Sequence, residues 1–212
     1  MLKNIMLKVL NHSLVHHYLG ILRNKKSSIV QFRFALDRLS QILALESVAN
    51  FPLSMIEIET PLEKIKAQTL SHEVVVVPIL RAGLSMLHSF THFLPDCQIG
   101  FIGQKRDEET AEAFEYYRNY PNLQNKRIII IDPMLATGGS ATATIDSIIE
   151  KGGDLNNIQL TCVIAAPEGV SCVESKYPKL PILTATLDRC LNEKKYILPG
   201  LGDAGDLWTG TN

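Results

Sequence analysis

The 212-residue sequence has few of the features that mark membrane, secreted or nucleic-acid-binding proteins. No apolar run approaches the roughly 20 residues that a membrane-spanning helix needs. Residues 1–10 are partly apolar, but they lack the long apolar centre and the small-residue cleavage site of a signal peptide. The 21 Lys and Arg balance 22 Asp and Glu, and this net charge of −1 argues against nucleic acid as the main partner. We therefore expect a cytoplasmic protein with no membrane and no nucleic-acid partner.

Cysteine is also scarce, and its spacing does not fit a metal motif. The four cysteines are scattered without a paired spacing, at Cys97, Cys162, Cys172 and Cys190. Since Cys162 lies in an apolar run and the protein is expected in a reducing compartment, we predict reduced, buried thiols. We predict no metal site built from protein side chains alone.

The hydrophobic pattern predicts an α/β protein. With 46% hydrophobic residues, the chain can form one domain with a full core over residues 1–212. Helical periodicity covers two segments within an N-terminal arm of about residues 1–50. Met55–Glu59 alternates like an edge strand. Core strands are predicted at Glu73–Leu80, Gln98–Gly103, Arg127–Asp132, Gln159–Ala166 and Ile182–Leu187, with helices after the first, third and fourth. This order indicates a central, mostly parallel sheet flanked by helices.

The strand Ile128–Ile131 leads into the most informative segment. Four isoleucines without polar alternation predict a strand buried on both faces, so Asp132 should emerge at the carboxyl edge of the sheet, where ligands bind. Pro133 should help to end the strand. The loop Thr137–Ser140 then begins a helix whose first turn could present N–H groups to an anion. The ordinary alternative is a turn with Ser140 or Thr142 as a helix cap. A Walker lysine and the dinucleotide glycine pattern are both missing.

Arg81 is expected at the same edge, because it follows the apolar strand Val74–Leu80. A guanidinium fork suits phosphate oxygens, and the small residues Ala82 and Gly83 could expose backbone N–H groups to them. Alternatively, Arg81 pairs only with a surface acid. Beside a second anion site, we favour a pyrophosphate clamp.

Two further segments have unusual composition. The polar stretch of about residues 104–125 is too long for an ordinary connection, and such loops are usually lids or binding elements. We assign function to Arg106 and a solvated hairpin or dimer arm to Phe114–Tyr120. The tail of about residues 196–212 is rich in glycine and should be a loop, but its composition alone does not distinguish a surface turn from a binding loop.

The segment Asp-Pro-Met-Leu-Ala-Thr-Gly-Gly-Ser resembles the phosphoribosyl pyrophosphate (PRPP) loop of the type I phosphoribosyltransferases, especially their uracil branch. Most relatives have two adjacent acids here, whereas Pro133 takes the second place in this chain and in the uracil branch. The resemblance implies that Asp132 accepts hydrogen bonds from the ribose 2′- and 3′-hydroxyls. It implies PRPP contacts throughout this loop, with the 5′-phosphate at its second half: Asp132, Pro133, Met134, Leu135, Ala136, Thr137, Gly138, Gly139 and Ser140.

Three more segments extend the resemblance over essentially the whole chain. Pro-Ile-Leu-Arg-Ala-Gly implies PRPP binding by Arg81 and a cis peptide near Leu80–Arg81, and Arg-Asp-Glu-Glu-Thr resembles a mobile hood whose arginine, Arg106, reaches the pyrophosphate. Pro-Gly-Leu-Gly-Asp-Ala-Gly-Asp is similar to the uracil-binding tail. It implies base contacts from Leu198, Gly202, Asp203 and Ala204, with Asp203 also near PRPP. This chain departs from the family pattern at Gln104–Lys105 and Leu207–Thr209.

The resemblance implies the type I phosphoribosyltransferase fold and transfer of a phosphoribosyl group from PRPP to uracil, giving UMP and diphosphate. Arg106, Asp132 and Asp203 would be the catalytic residues, and Mg²⁺ would bind mainly through PRPP. It further implies a homodimer or larger homo-oligomer and GTP as a candidate effector. Two alternatives are a PRPP-sensing RNA-binding regulator, which the charge balance disfavours, and a transferase for another nucleobase, which the tail disfavours.

Overall fold

The computed structural model describes residues 7–106 and 113–211, without the side chains of residues 105, 106, 113 and 114. The helices are α1 Ser13–Arg23, α2 Ile29–Val48, α3 Leu84–Phe93, α4 Gly139–Glu150, α5 Pro167–Lys176 and α6 Ala204–Thr209, with a 3₁₀ turn at Leu155–Asn157. The strands are β1 Leu7–Val9, β2 Leu53–Glu59, β3 Lys64–Leu70, β4 Val74–Leu80, β5 Gln98–Ile99, β6 Phe101–Arg106, β7 Ala113–Asn119, β8 Arg127–Leu135, β9 Ile158–Ala165, β10 Ile182–Leu187, β11 Cys190–Leu191 and β12 Ile197–Leu198.

Eight of the strands form a central, mostly parallel sheet. Its order is β1-β10-β9-β8-β4-β6-β7, and β5 also pairs with β4. All neighbours are parallel except β6 and β7, which form an antiparallel hairpin. Because β4 and β8 are parallel neighbours, their carboxyl ends lie side by side. The predicted fold class is confirmed, and the residues that follow these two strands meet at one edge.

Helices cover both faces of the sheet. Residues of α1, α2 and α3 pack on the face that contains Ile129 and Ile131. Residues of α4 and α5 pack on the face that contains Ile128 and Ile130. All four isoleucines are fully buried, as their uninterrupted apolar run predicts.

The central strands differ from the prediction in three places. Strand β8 continues through Pro133 to Leu135, so the proline does not end it. Pairing with β4 stops at Ile131, and beyond that point β8 is an edge on one side, where proline is tolerated. The predicted strand Gln98–Gly103 is divided into β5 and β6 at Gly100. The N-terminal arm contains β1 as well as the two predicted helices.

Strands β2 and β3 form a hairpin outside the central sheet, which we call the arm hairpin. The edge strand predicted at Met55–Glu59 is therefore a strand, but not of the central sheet. Its partner β3 was not predicted, because Lys64, Lys66 and Gln68 give that segment a polar composition.

The four cysteines are free thiols, but only Cys162 is buried; Cys97, Cys172 and Cys190 are half-buried. The prediction of burial was wrong for these three, because none of them lies on a strand inside the two helical layers. Burial raises the pKa of Cys162 to about 12 and also raises the pKa of Cys97, so both thiols are poorly reactive. None of the described helices combines the length and apolarity that crossing a membrane requires.

Candidate active site

A cavity of about 370 Å³ opens at the carboxyl edge of β4 and β8. It brings together the turn after β4, the end of β8 and the C-terminal tail. Its lining residues are Ala82, Asp132, Met134, Ala136, Lys194, Lys195, Tyr196, Ile197, Gly202, Asp203, Ala204 and Gly205. Three segments that are distant in the sequence thus share one cavity, as the sequence predicts.

Strand β8 positions Asp132. Its backbone lies beside Cys162 of β9, within the part of β8 that has left β4, and its side chain is half-buried. The Met134 N–H donates to Asp132 Oδ1 at 3.5 Å. Asp132 thus lines the cavity from a strand that is paired with β9 at this point.

The turn after β8 is shaped for an anion. Gly138 is the N-cap of α4 and has the left-handed φ of 85°, so it contributes no side chain to the cap. The first-turn N–H groups of a helix lack intrahelical partners, and they attract negative charge. The alternative, a side-chain cap by Ser140 or Thr142, is not what the structure shows: Gly138 is the N-cap, and the Thr142 hydroxyl donates to the carbonyls of Gly138 and Gly139 at 3.0 Å each.

The two glycines of this turn have different roles. A Cβ on Gly138 would stand 2.7 Å from Cys172 Cβ and 2.8 Å from the Gly169 carbonyl oxygen. Helix α5 therefore packs directly against the turn and leaves no room for a side chain at Gly138. A Cβ on Gly139 would meet only Thr137 Oγ1, at 3.8 Å. The space beside Gly139 is open, and a phosphate could approach the backbone there.

The turn after β4 contains the cis peptide Leu80–Arg81, as predicted. Arg81 is exposed, while Gly83 is buried against the neighbouring strand: a Cβ on Gly83 would stand 2.6 Å from the Ile131 carbonyl. The Gly83 N–H donates to the Ile79 carbonyl at 2.8 Å. The prediction that Gly83 offers its N–H to a ligand was therefore wrong, and Ala82 is the residue of this turn that lines the cavity.

The tail is a loop that side chains of the core hold in place. It contains the cis peptide Leu198–Pro199 and left-handed φ angles at Gly200 and Gly202. Asp188 accepts a hydrogen bond from the Gly200 N–H at 2.8 Å. The same carboxylate, which is 3% exposed, forms a two-pronged salt bridge with Arg23 at 2.5 and 3.1 Å. Sequence reasoning missed this pair, whose members are 165 positions apart.

The tail is more regular than predicted, because it includes β12 and α6. The Asp203 carboxylate accepts from the Asp206 N–H at 2.9 Å and is the N-cap of α6. The Leu198 carbonyl accepts from the Arg189 N–H at 2.9 Å. Gly202 and Asp203 line the cavity on one side and a larger cavity of about 630 Å³ on the other, so this loop is a wall between them.

The predicted residues fall into three groups. Six line the cavity directly: Asp132, Met134, Ala136, Gly202, Asp203 and Ala204. Others belong to the same turns but not to its lining: Arg81, Pro133, Leu135, Thr137, Gly138, Gly139, Ser140 and Leu198. The Arg106 side chain lies outside the described part of the chain, as do residues 107–112 of the hood.

Two lysines of the lining were not predicted. Lys194 and Lys195 form the turn before β12, and Lys195 has a φ of 65°, which is unusual for a residue with a side chain. They bring positive charge to the cavity. The sequence signal for them is the polar segment Asn-Glu-Lys-Lys, which forms the turn between the short strands β11 and β12.

The acidic groups at this cavity do not form a metal cage. Within residues 7–106 and 113–211, no three His, Cys, Asp or Glu side chains are grouped to hold a metal ion. Asp132 and Asp203 are the acids of the lining. Such a sparse donor set fits a magnesium ion that arrives with the phosphates of a ligand and keeps several waters.

Comparison with known proteins gives one consistent result. The family model described as uracil phosphoribosyltransferase matches residues 9–211. The uracil phosphoribosyltransferase of Limosilactobacillus fermentum is 44% identical over 206 residues, which cover 96% of this chain and 98% of the relative. That of Streptococcus pneumoniae is 42% identical over 207 residues, or 97% and 98% of the two chains.

Solved structures agree on the fold. The AQ2163 protein from Aquifex aeolicus superposes with a TM-score of 0.90 at 36% identity, over 95% of this chain and 97% of its own. Adenine phosphoribosyl transferase from Trypanosoma brucei superposes with a TM-score of 0.60 at 12% identity, over 93% and 88% of the two chains. At that identity the second match supports the fold alone.

Proposed function

The chain belongs to the uracil phosphoribosyltransferase family, and from this membership we propose how its cavity carries out the reaction. The protein is a pentosyltransferase of pyrimidine salvage: it transfers the 5-phosphoribosyl group of PRPP to N1 of uracil, and UMP and diphosphate are the products. The observation that supports a single site for both substrates is the shared cavity, which joins Asp132 and Ala136 to the tail at Gly202–Ala204.

PRPP would lie along the sheet edge. Asp132 accepts hydrogen bonds from the two ribose hydroxyls, and the turn from Ala136 to Ser140 holds the 5′-phosphate at the N-terminus of α4. Pro133, Met134 and Leu135 connect these two elements and fix their separation. Arg81 and Arg106 bind the pyrophosphate, because a guanidinium can donate two parallel hydrogen bonds to phosphate oxygens.

Uracil would bind against the tail through backbone groups. Its edge presents an acceptor, a donor and an acceptor, which N–H and C=O groups of Leu198, Gly202, Asp203 and Ala204 can match. Cytosine would place its amino group against a backbone donor. Sites built on buried hydrogen bonds reject mismatched analogues by roughly 10⁴ or more. This supports uracil over the other nucleobases.

Catalysis would depend on positioning and charge rather than on a strong base. The expected transition state resembles an oxocarbenium ion, so Asp132 holds the ribose in place while Arg81 and Arg106 neutralise the departing diphosphate. Asp203 is the carboxylate best placed to assist at uracil N1, although it also caps α6. Mg²⁺ bound to PRPP would add positive charge at the diphosphate, and Asp132 and Asp203, the two carboxylates of the cavity lining, would hold it.

A second copy of the chain is the partner that the arm hairpin supports. Ile56 pairs with Ala67 and Ile58 with Ile65, so all four side chains share one face of the hairpin. Ile56, Ile58 and Ile65 are each about 40% exposed (43%, 39% and 39%). A lone two-stranded hairpin is marginally stable in water. We propose that a homo-oligomer covers this apolar face, that the enzyme acts in the cytoplasm as one domain, and that GTP is a candidate effector.

The reaction can be tested directly. The protein is incubated with PRPP, Mg²⁺ and, separately, uracil, cytosine, hypoxanthine, adenine or guanine, and products are separated by anion-exchange chromatography. We expect UMP from uracil and no nucleotide from the others. A chain that forms AMP, IMP or GMP but no UMP would contradict the proposed base site. GTP is added in a parallel series to test activation.

A further inference from the structure

A set of polar contacts joins the β6–β7 hairpin to α4, and the reaction described above does not account for it. We call it the seam, and its members are Gln104, Glu115, Arg118 and Tyr120 of the hairpin and its end, and Thr144, Ser147 and Glu150 of α4. Helix α4 also begins at the phosphate turn. One rigid element therefore contacts two parts of the site.

Ser147 is the centre of the seam. It is 5% exposed, and its hydroxyl donates to Glu115 Oε2 at 2.9 Å. The same oxygen accepts from Arg118 Nη1 at 3.1 Å and from the Tyr120 hydroxyl at 3.3 Å. A serine hydroxyl has one donor and two acceptor sites, so all of its hydrogen-bonding capacity is used on this hairpin.

Charged groups complete the seam around that hydroxyl. Arg118 contacts Glu115 at 3.2 Å within the hairpin and Glu150 of α4 at 3.1 Å. Burial raises the pKa of Tyr120 to about 12, and the phenol donates a hydrogen bond to Ser147. The hairpin is thus tied to α4 by neutral and charge-assisted bonds.

A second contact lies nearer the phosphate turn. Gln104 Nε2 donates to Thr144 Oγ1 at 3.1 Å, and the Thr144 hydroxyl donates to the Ser140 carbonyl at 2.8 Å. Gln104 Oε1 is also buried, and among the described residues it has no hydrogen-bond partner. The chain of bonds runs from β6, two residues before Arg106, to the first turn of α4.

A β-bulge allows the hairpin to make these contacts. Side chains alternate along a strand, so Glu115 and Arg118 would ordinarily lie on opposite faces. The pairing shifts between Gly103 and Gln104, and Tyr116 is the extra residue opposite them. The extra residue changes the phase of the alternation, and both side chains reach Ser147.

We propose that the seam fixes the hairpin on α4 and thereby sets the position of β6 at Arg106 relative to the phosphate turn, with Ser147 as a positioning residue for PRPP. This inference rests on the proposed roles of the phosphate turn and Arg106. It assigns to α4 a function beyond its N-terminus: the same helix that receives the 5′-phosphate also aligns the strand that leads to the pyrophosphate.

The test compares Ser147→Ala with Ser40→Ala in the otherwise unchanged protein. Ser40 is an equally buried helical serine whose hydroxyl donates only within α2, to the Leu36 carbonyl. We expect Ser147→Ala to raise KM for PRPP roughly tenfold, since small misplacements near a site cost up to about 100-fold. KM for uracil should stay within twofold, and Ser40→Ala should change neither KM. Ser147→Thr, which keeps the hydroxyl, should restore most of the PRPP affinity.

Hydrogen exchange gives a second readout that does not depend on activity. Amides of β7 should exchange at least tenfold faster in Ser147→Ala than in the wild type, while those of β9 should not change. If Ser147→Ala does not fold, Arg118→Gln, at a side chain that is 26% exposed, takes its place with the same expectations. Unchanged β7 exchange, or equal changes in both KM values, would overturn the proposal. A wild-type protein that forms no UMP would instead contradict the proposed function, and the exchange result would still decide whether the seam fixes the hairpin.

Discussion

At the scale of single residues, Asp132 has the most demanding task in this site. Pro133 follows it, so in the proposed site one carboxylate would orient both ribose hydroxyls. Asp132 lines the cavity, so its carboxylate is placed where a ligand would bind. Its value to PRPP binding should therefore be large, because hydrogen bonds to charged groups contribute about 1.5–3 kcal/mol each.

The first prediction is that Asp132→Asn weakens PRPP binding at least tenfold, which is about 1.4 kcal/mol. The amide keeps the shape but loses the charge and one acceptor. Titration calorimetry with PRPP and Mg²⁺ measures the effect. Asp154→Asn is the control, since Asp154 caps the distant 3₁₀ turn and should leave affinity unchanged. An Asp132→Asn protein with wild-type affinity would remove this residue from the ribose site.

The second prediction separates the two glycines of the phosphate turn. Gly138→Ala should destabilise the protein, because the left-handed backbone costs about 1–2 kcal/mol and the crowding against Cys172 roughly 1–3 more. Gly139→Ala should keep the melting temperature within about 2 °C but weaken PRPP binding, since its methyl group would occupy open space beside the turn. Thermal unfolding and calorimetry on both variants decide this. Equal melting temperatures for the two variants would contradict the distinction.

At the scale of elements, the sequence predicted what a local pattern can determine. The uninterrupted apolar runs of β4, β8 and β9 predicted buried parallel strands, and the helices after them were found. Strand β3 was missed because its composition is polar, and it forms by pairing with β2. Helix α6 was missed because its segment is rich in glycine, and Asp203 caps it. The pairing of β3 is decided in three dimensions, so a single-sequence pattern indicates it weakly. The cap of α6 is a local contact, but the glycines around Asp203 favour a loop and hide a helix of six residues.

The same limit applies to the site. The pattern alone placed Asp132 and Arg81 at the carboxyl edge of the sheet, since parallel strands bring their carboxyl ends together. Arg81 directly follows β4, whereas Asp132 lies within β8, beyond its pairing with β4. The salt bridge between Arg23 and Asp188, which holds the tail through Gly200, joins residues far apart in the chain and has no local signal. The bulge at Tyr116, which shifts the alternation of side chains along β7, has no local signal in the sequence either.

The third prediction concerns the arm hairpin. Ile58→Glu should convert the proposed homo-oligomer into smaller species, because a charge on the apolar face would lose its hydration when a second copy covers it. Glu57→Gln is the matched control, as Glu57 lies opposite Lys66 on the other face. Sedimentation velocity at several concentrations measures both proteins. A wild-type chain that stays monomeric at high concentration would contradict the role of the arm.

At the scale of the whole molecule, the site depends on segments that only folding brings together. The turn at Ala82, the end of β8 and the tail at Gly202–Ala204 meet at one cavity, although more than 100 positions separate the first from the last. The unfolded chain cannot reproduce that arrangement, so PRPP should bind the native state alone. Ligand binding and folding are then linked.

The fourth prediction follows from this linkage. PRPP with Mg²⁺ at 100 times its dissociation constant should stabilise the native protein by about 2.7 kcal/mol, which raises the melting temperature of a chain of this size by roughly 5–10 °C. Ribose 5-phosphate, which lacks the pyrophosphate, should give a smaller shift at the same concentration because Arg81 and Arg106 find no partner. Asp132→Asn should reduce the shift for both ligands, whereas Asp154→Asn should preserve both. If PRPP and ribose 5-phosphate gave equal shifts at matched concentration, the pyrophosphate would contribute nothing to binding, and the clamp assigned to the two arginines would be wrong.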